Sequence, residues 1–108
     1  MGNSYFNLGN YNQSIICYQK AIAINPNYAD VYYNMGSSYF NLGNYEQAII
    51  YYQKAITVNL NDAEVYYNIG TSYLKLGNDK QAISYYKKAA RLGHKDTQNL
   101  LKSIGYTW

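Results

Sequence analysis

Apolar residues recur along the chain with the period of an α-helix, and short polar turns interrupt them. In residues 29–42, one stripe at 100° per residue consists of Tyr32, Met35, Gly36 and Tyr39. In residues 45–58, a second stripe consists of Tyr45, Ala48, Tyr52, Ala55 and Ile56. These stripes predict amphipathic helices that each bury one face against a neighbour.

Glycine, asparagine and proline mark the ends of the predicted helices. The triplet Leu42-Gly43-Asn44 is typical of a helix stop followed by the N-cap of the next helix. Longer breaks occur at Asn25-Pro26-Asn27 and Asn59-Leu60-Asn61-Asp62. The pattern predicts helices at residues 1–8, 12–25, 29–42, 45–58, 63–76, 79–92 and 96–104.

The helix–turn–helix unit recurs every 34 residues, and residues 3–22, 37–56 and 71–90 are nearly the same sequence. The aligned columns are Gly2, Gly36, Gly70; Tyr5, Tyr39, Tyr73; Gly9, Gly43, Gly77; Tyr18, Tyr52, Tyr86; and Ala21, Ala55, Ala89. A period of this length is typical of a solenoid. Because glycine within a helix costs about 1 kcal/mol relative to alanine, Gly36 and Gly70 predict a close approach of the partner helix.

These columns resemble those of the tetratricopeptide repeat (TPR) family. The matching positions are Tyr32 and Tyr66, Gly36 and Gly70, Tyr39 and Tyr73, Ala48 and Ala82, Tyr52 and Tyr86, and Ala55 and Ala89; the family's repeat-ending proline is present at Pro26 and replaced by Leu60 and His94. The resemblance covers residues 1–96. It implies an all-α fold, a right-handed α-α superhelix (solenoid) of antiparallel helix pairs with a C-terminal capping helix. The implied units are a truncated repeat at 1–28, repeats at 29–62 and 63–96, and a capping helix and tail at 97–108.

The two ends of the array differ. The first repeat lacks the counterparts of residues 29–34, so its second helix is expected to expose Ile15, Tyr18 and Ile22. Either upstream residues have been removed, which we favour, or another chain covers this end. At the other end, Asp96 is the expected N-cap of a closing helix, with Leu100, Leu101 and Ile104 packed on the last repeat.

The tail of the chain, Tyr106-Thr107-Trp108, has two interpretations. We expect it to fold back on the stack. The alternative is a docking peptide for another molecule.

Composition limits the class of protein. Of the 108 residues, 48% are apolar and 14% are charged, and 16 are tyrosine. A single cysteine, Cys17, excludes an internal disulfide and fits a reducing compartment. There is no apolar run of about 18 residues and no signal-peptide pattern. We expect a soluble, cytoplasmic protein, unless the chain is cut from a longer one.

Catalytic chemistry finds little support. His94 has no second metal ligand at a motif spacing and is interpreted as a turn residue. Cys17 occupies the position of Tyr51 and Tyr85, which predicts a small, partly buried side chain rather than a nucleophile. No phosphate-binding glycine loop is present. We therefore expect no enzyme activity, no cofactor and no metal.

The face of the first helices opposite their buried stripe is the candidate binding surface, because stacked first helices line the inner wall of such a solenoid. Its residues are Asp30, Tyr33, Asn34, Ser37, Phe40 and Asn41, then Glu64, Tyr67, Asn68, Thr71, Leu74 and Lys75, with Asn3, Phe6 and Asn7 extending it. A purely solvated face is the alternative. Four large apolar groups, at Tyr33, Phe40, Tyr67 and Leu74, favour a concave ligand-binding groove.

The family resemblance narrows the ligand. In TPR co-chaperones a clamp of lysine, arginine and asparagine holds a terminal carboxylate, and here Asn3 and Asn34 match two of its asparagines. Glu64 and Asn68 replace two of its cations, and a negative charge there would repel a carboxylate. Asn34 and Asn68 instead resemble the asparagine ladder of the TPR-bearing O-linked N-acetylglucosamine transferase. Because a carboxamide both donates and accepts hydrogen bonds, we expect an extended, neutral or mildly basic peptide.

A basic patch on the last long helix suggests another partner. It consists of Lys80, Lys87, Lys88 and Arg91, within a net charge of +3. No aromatics alternate with these lysines to stack bases, so a solvated face is favoured over nucleic-acid binding. The sequence thus predicts a non-enzymatic scaffold that binds a protein or peptide. Self-assembly through the first end is the alternative, and binding of nucleic acid or an acidic partner is a further one.

Overall fold

The computed structural model describes residues 15–20 and 29–108, and these ranges form helices joined by turns. A helical segment at residues 15–20 precedes five helices: α1 (Ala29–Asn41), α2 (Tyr45–Val58), α3 (Ala63–Lys75), α4 (Asp79–Arg91) and α5 (Lys95–Ser103). The helices predicted from residue 29 onward are confirmed to within one residue at each end. The predicted helix 1–8 lies outside the described residues, and of the predicted helix 12–25 only 15–20 is described.

Each helix packs mainly on its neighbours in the sequence. α1 packs on α2, α2 on α3, α3 on α4, and α4 on α5. The stack is elongated, with extents of 42 × 24 × 20 Å. This arrangement confirms the predicted helical solenoid, in which each helix pair contacts only the adjacent pairs.

The glycine turns form one recurring local structure. The Gly43 amide donates to the Phe40 carbonyl at 3.0 Å, and the Asn44 amide donates to the Tyr39 carbonyl at 2.9 Å. This Schellman pattern requires a left-handed residue at its glycine, and Gly43 has φ of +80°. The Asn44 side chain then accepts from the Gln47 amide, so the predicted stop and N-cap are confirmed.

The mid-helix glycines provide space for a tyrosine ring. A Cβ atom at Gly36 would lie 2.7 Å from Cδ1 of Tyr52, and one at Gly70 would lie 2.7 Å from Cδ1 of Tyr86. Tyr52 is only 2% exposed. The predicted close approach is confirmed, and the approaching group is the tyrosine of the following helix.

Stacked tyrosines explain much of the unusual tyrosine content. Tyr39 stacks on Tyr51 with ring centroids 5.5 Å apart. The equivalent pair in the next repeat, Tyr73 and Tyr85, lies at 5.6 Å. Cys17 occupies the corresponding position of the first repeat and is half-buried, as predicted.

The expected exposure of the first repeat's apolar stripe is wrong for the residues described. Ile15 and Tyr18 are 6% and 7% exposed, because they pack against Val31 and Met35 of α1. Burial raises the pKa of Tyr18, with a smaller contribution from the charge of Cys17. Ile22, the third residue of this stripe, lies outside the described residues.

The capping helix begins earlier than predicted. α5 starts at Lys95, and its N-cap is His94 rather than Asp96, since His94 Nδ1 accepts from the Thr97 amide at 3.3 Å. Leu101 is fully buried on the last repeat. Leu100 and Ile104, also predicted to pack there, remain 37% and 51% exposed.

The tail folds back at Tyr106, which is one of the two interpretations of the sequence. The Tyr106 amide donates to the Leu101 carbonyl at 2.8 Å. The ammonium of Lys87, on α4, lies 5.3 Å from the centroid of the Tyr106 ring. Among the helices described, none is long and apolar enough to span a membrane.

Candidate peptide-binding face

The first helices of neighbouring repeats lie side by side and share one surface. Nδ2 of Asn68, on α3, donates to the hydroxyl of Tyr33, on α1, at 3.3 Å. We call this surface the first-helix face; it comprises Asp30, Tyr33, Asn34, Ser37, Phe40 and Asn41 of α1, and Glu64, Tyr67, Asn68, Thr71, Leu74 and Lys75 of α3. The predicted extension through Asn3, Phe6 and Asn7 lies outside the described residues.

The aromatic residues of this face are packed within the protein. Tyr33 lies on Tyr52 with ring centroids 5.8 Å apart, and the equivalent pair Tyr67 and Tyr86 is at 5.5 Å. Phe40 meets the ring of Tyr45 edge-on at 5.1 Å. Internal packing therefore accounts for three of the four large apolar groups that suggested a ligand. Only Leu74 is largely open, at 48% exposure.

The side-chain hydroxyl groups of Ser37 and Thr71 form hydrogen bonds with buried tyrosine hydroxyls. Ser37 Oγ lies 2.8 Å from the Tyr52 hydroxyl, and Thr71 Oγ1 lies 2.9 Å from the Tyr86 hydroxyl. Burial raises the pKa of both tyrosines, and these hydrogen bonds partly oppose it. Ser37 and Thr71 thus have a structural role, because a buried hydroxyl without a partner is destabilising.

The two asparagines retain most of their hydrogen-bonding capacity. Within residues 15–20 and 29–108, the half-buried Asn34 side chain makes no hydrogen bond. Asn68 uses one N–H for Tyr33, which leaves its carbonyl oxygen and its second N–H. The face therefore presents two carboxamides, 34 residues apart in sequence, that can pair with a peptide backbone.

The charges of the face are mainly negative. Asp30 and Glu64 are exposed carboxylates, and Lys75 is the one lysine among the residues that define the face. A Glu64 oxygen lies 2.9 Å from Nε2 of His94, and the Glu64 side chain is nevertheless 54% exposed. This balance disfavours an acidic ligand.

His94 is a residue of the site that sequence reasoning missed. Its ring stacks on Tyr67 at a centroid distance of 5.1 Å, in addition to its contacts with Glu64 and Thr97. It therefore joins the first-helix face to the start of α5. The signal was present in Gly93-His94, which repeats the glycine-then-cap order of Gly43-Asn44.

The structure divides the basic patch between two cavities. Lys80 and Lys87 line one of about 460 Å³. Lys88 and Arg91 line another of about 230 Å³. The ring of Tyr85 lies beside this patch, since the Lys88 ammonium is 4.7 Å from its centroid.

Metal-binding residues do not cluster in the part of the chain that the structure describes. No group of three or more His, Cys, Asp or Glu side chains there could hold a metal ion.

Comparison with known proteins identifies the repeats. A sequence profile described as a tetratricopeptide repeat matches residues 27–93, and one described as a TPR repeat matches residues 2–43. No curated protein sequence is similar enough to count as a match.

Solved structures of similar fold are numerous. The chain is 33% identical to a structure of MamA, with a TM-score of 0.83, covering 90% of this chain and 57% of that one. It thus spans a little over half of the MamA chain. The first TPR of Spaghetti (RPAP3), bound to the HSP90 peptide SRMEEVD, is 27% identical with a TM-score of 0.86, covering 95% of this chain and 83% of that one. The second TPR of that protein, with the same peptide, is 26% identical with a TM-score of 0.79, at 84% coverage of both chains.

Proposed function

Since the chain belongs to the tetratricopeptide repeat family, we propose that it is a non-enzymatic scaffold that binds an extended peptide across the first-helix face. The observation that carries this proposal is the pair Asn34 and Asn68. Both are half-buried carboxamides on adjacent first helices, and both keep free donor and acceptor positions. The peptide-bound Spaghetti domains support a peptide ligand for this fold.

The ligand we propose is neutral or basic. The HSP90 peptide SRMEEVD carries three acidic side chains. On this chain such a peptide would meet the exposed carboxylates of Asp30 and Glu64. Like charges placed opposite one another weaken association, so the two proteins should select peptides of different charge. A cytoplasmic location belongs to this proposal and rests on the free thiol of Cys17.

A random peptide library displayed on phage tests the proposal directly. We expect the selected peptides to be neutral or basic, and SRMEEVD to bind at least about tenfold more weakly than they do. The double variant Asn34→Ala/Asn68→Ala should weaken binding of a selected peptide by about tenfold or more, because two backbone-pairing amides are removed. Asn99→Ala, an exposed asparagine on α5, is the matched control. Unchanged affinity in the double variant would exclude the first-helix face.

Self-assembly through the first end is a weaker candidate. The incomplete first repeat suggested it, but two of the side chains expected to be exposed there, Ile15 and Tyr18, are buried. Sedimentation over a wide concentration range distinguishes the two functions, since the scaffold account expects a monomer. Binding of nucleic acid is also weaker, because the basic patch is divided between two separate cavities.

A further inference from the structure

An exposed apolar surface lies at the C-terminal end of the array. Its side chains come from the end of α3, the first half of α4, α5 and the tail. We call it the end groove; it comprises Leu74, Ile83, Leu100, Ile104 and Tyr106. The cavity lined by these residues measures about 390 Å³, and it shares Asp79, Ile83 and Tyr106 with the 460 Å³ cavity beside it. Both volumes fall in the range of concave binding sites, about 300–1,000 Å³.

The end groove exists because α5 is shorter than the helix that covers the preceding repeat. α3 has 13 residues and packs along α2, where Ile49 is only 7% exposed. α5 has only 9 residues, and its end and Tyr106 line a cavity together with Asp79 and Ile83 of α4. Ile83, 34 residues after Ile49, consequently stays only partly buried. The missing cover corresponds to roughly one turn of helix, at 3.6 residues per turn.

The charges at the rim indicate what could supply that cover. Lys80 and Lys87 line the adjoining cavity together with one carboxylate, Asp79. Asp79 lies in the first turn of α4, where the positive end of the helix dipole offsets its charge. The equivalent positions of Lys80 and Lys87 on α2 are Glu46 and Gln53, so the basic rim belongs to the last repeat alone.

We propose that the end groove binds a short apolar segment of another protein that carries acidic side chains. Its apolar residues would contact Ile83 and Ile104, much as Ile69 of α3 packs with Ile49 of α2 in one buried cluster. Its carboxylates would pair with Lys80 and Lys87 at the rim. This site shares Leu74 with the first-helix face, but its other residues lie elsewhere and its rim carries the opposite charge. It does not depend on the function proposed for that face.

Two synthetic helical peptides provide the test on the full chain. Both have about 14 residues with leucines at i, i+3 and i+7, and they differ only in having glutamate or lysine at the polar positions. By fluorescence anisotropy, we expect the glutamate peptide to bind at least about tenfold more tightly than the lysine peptide. Lys80→Glu/Lys87→Glu should reverse this preference. Ile104→Ser should weaken binding of the glutamate peptide by about tenfold or more, without loss of the fold, because Ile104 is 51% exposed.

Matched controls separate this site from its alternatives. Lys88→Glu changes a lysine outside the cavity beside the end groove and should leave the affinity for the glutamate peptide within about twofold. Asn34→Ala/Asn68→Ala should leave it unchanged as well, so failure of the first-helix face does not affect the result. Equal affinity for the two peptides would overturn the proposal. Tighter binding of a uridine oligonucleotide through the same lysines would also overturn it, as would a dimer that Ile104→Ser abolishes.

Discussion

At the scale of single residues, Tyr52 and Tyr86 each make several of the contacts that recur in both fully described repeats. The ring of Tyr52 fills the space left by Gly36 and packs on Tyr33, and its hydroxyl bonds to Ser37. Each of these contacts recurs 34 residues later around Tyr86. These tyrosines therefore support the first-helix face from beneath. The sequence predicted the close approach at the glycines, but not the approaching group, because helical periodicity does not determine side-chain rotamers.

Alanine at Gly70 tests this packing. Intrinsic propensity alone would stabilise α3 by about 1 kcal/mol. The added Cβ would lie 2.7 Å from the Tyr86 ring and 3.1 Å from the Ala82 carbonyl oxygen, so overpacking should outweigh that gain. We expect Gly70→Ala to lower the free energy of unfolding by about 1–2 kcal/mol in urea denaturation. Ser84→Ala, an exposed site on α4, is the control and should not destabilise. A more stable Gly70→Ala protein would contradict the account.

At the scale of elements, helix positions were predictable because glycine turns and apolar stripes both have local causes. The start of α5 was not, since aspartate is a favoured N-cap and Asp96 stands at the start of the predicted helix. The turn at Gly93-His94 determines where α5 starts instead. The His94 amide forms a capping hydrogen bond at the end of α4, and the His94 ring accepts one at the start of α5. The burial of Ile15 and Tyr18 was missed for a related reason. Their cover comes from α1 of the following repeat, whereas the expected exposure followed from the incomplete first helix alone.

Two substitutions at His94 separate its roles as a cap and as a contact. Nδ1 must be unprotonated to accept from the Thr97 amide, so Nε2 carries the proton and donates to Glu64. His94→Ala removes the cap and the contacts with Glu64 and Tyr67. We expect it to destabilise by about 1–2 kcal/mol.

His94→Asn is the matched variant, because asparagine caps the equivalent turns at Asn44 and Asn78. It should recover at least half of the stability lost in His94→Ala, as measured by urea unfolding. If both variants lose the same free energy of unfolding, then capping by His94 contributes little and the contacts on the first-helix face dominate.

At the scale of the whole molecule, two candidate surfaces of opposite charge lie on one short stack. The first-helix face carries Asp30 and Glu64, whereas Lys80 and Lys87 lie at the rim of the end groove. The net charge of +3 for the whole chain therefore does not indicate the local charge of either surface. Repetition made the fold predictable from sequence, because one helix pair specifies its own stacking. The candidate sites were less predictable from sequence. Their residues were identified from the repeat, but the internal contacts of Tyr33, Tyr67 and Ser37 depend on neighbouring helices.

The central claim is that a peptide binds across α1 and α3. A titration of the isotopically labelled protein with a library-selected peptide, followed by two-dimensional NMR, tests it most directly. We expect the largest shift changes at the side-chain amides of Asn34 and Asn68 and at backbone amides of residues 33–41 and 67–75. Changes confined to α4, α5 and the tail, with the two asparagine side chains unaffected, would contradict it.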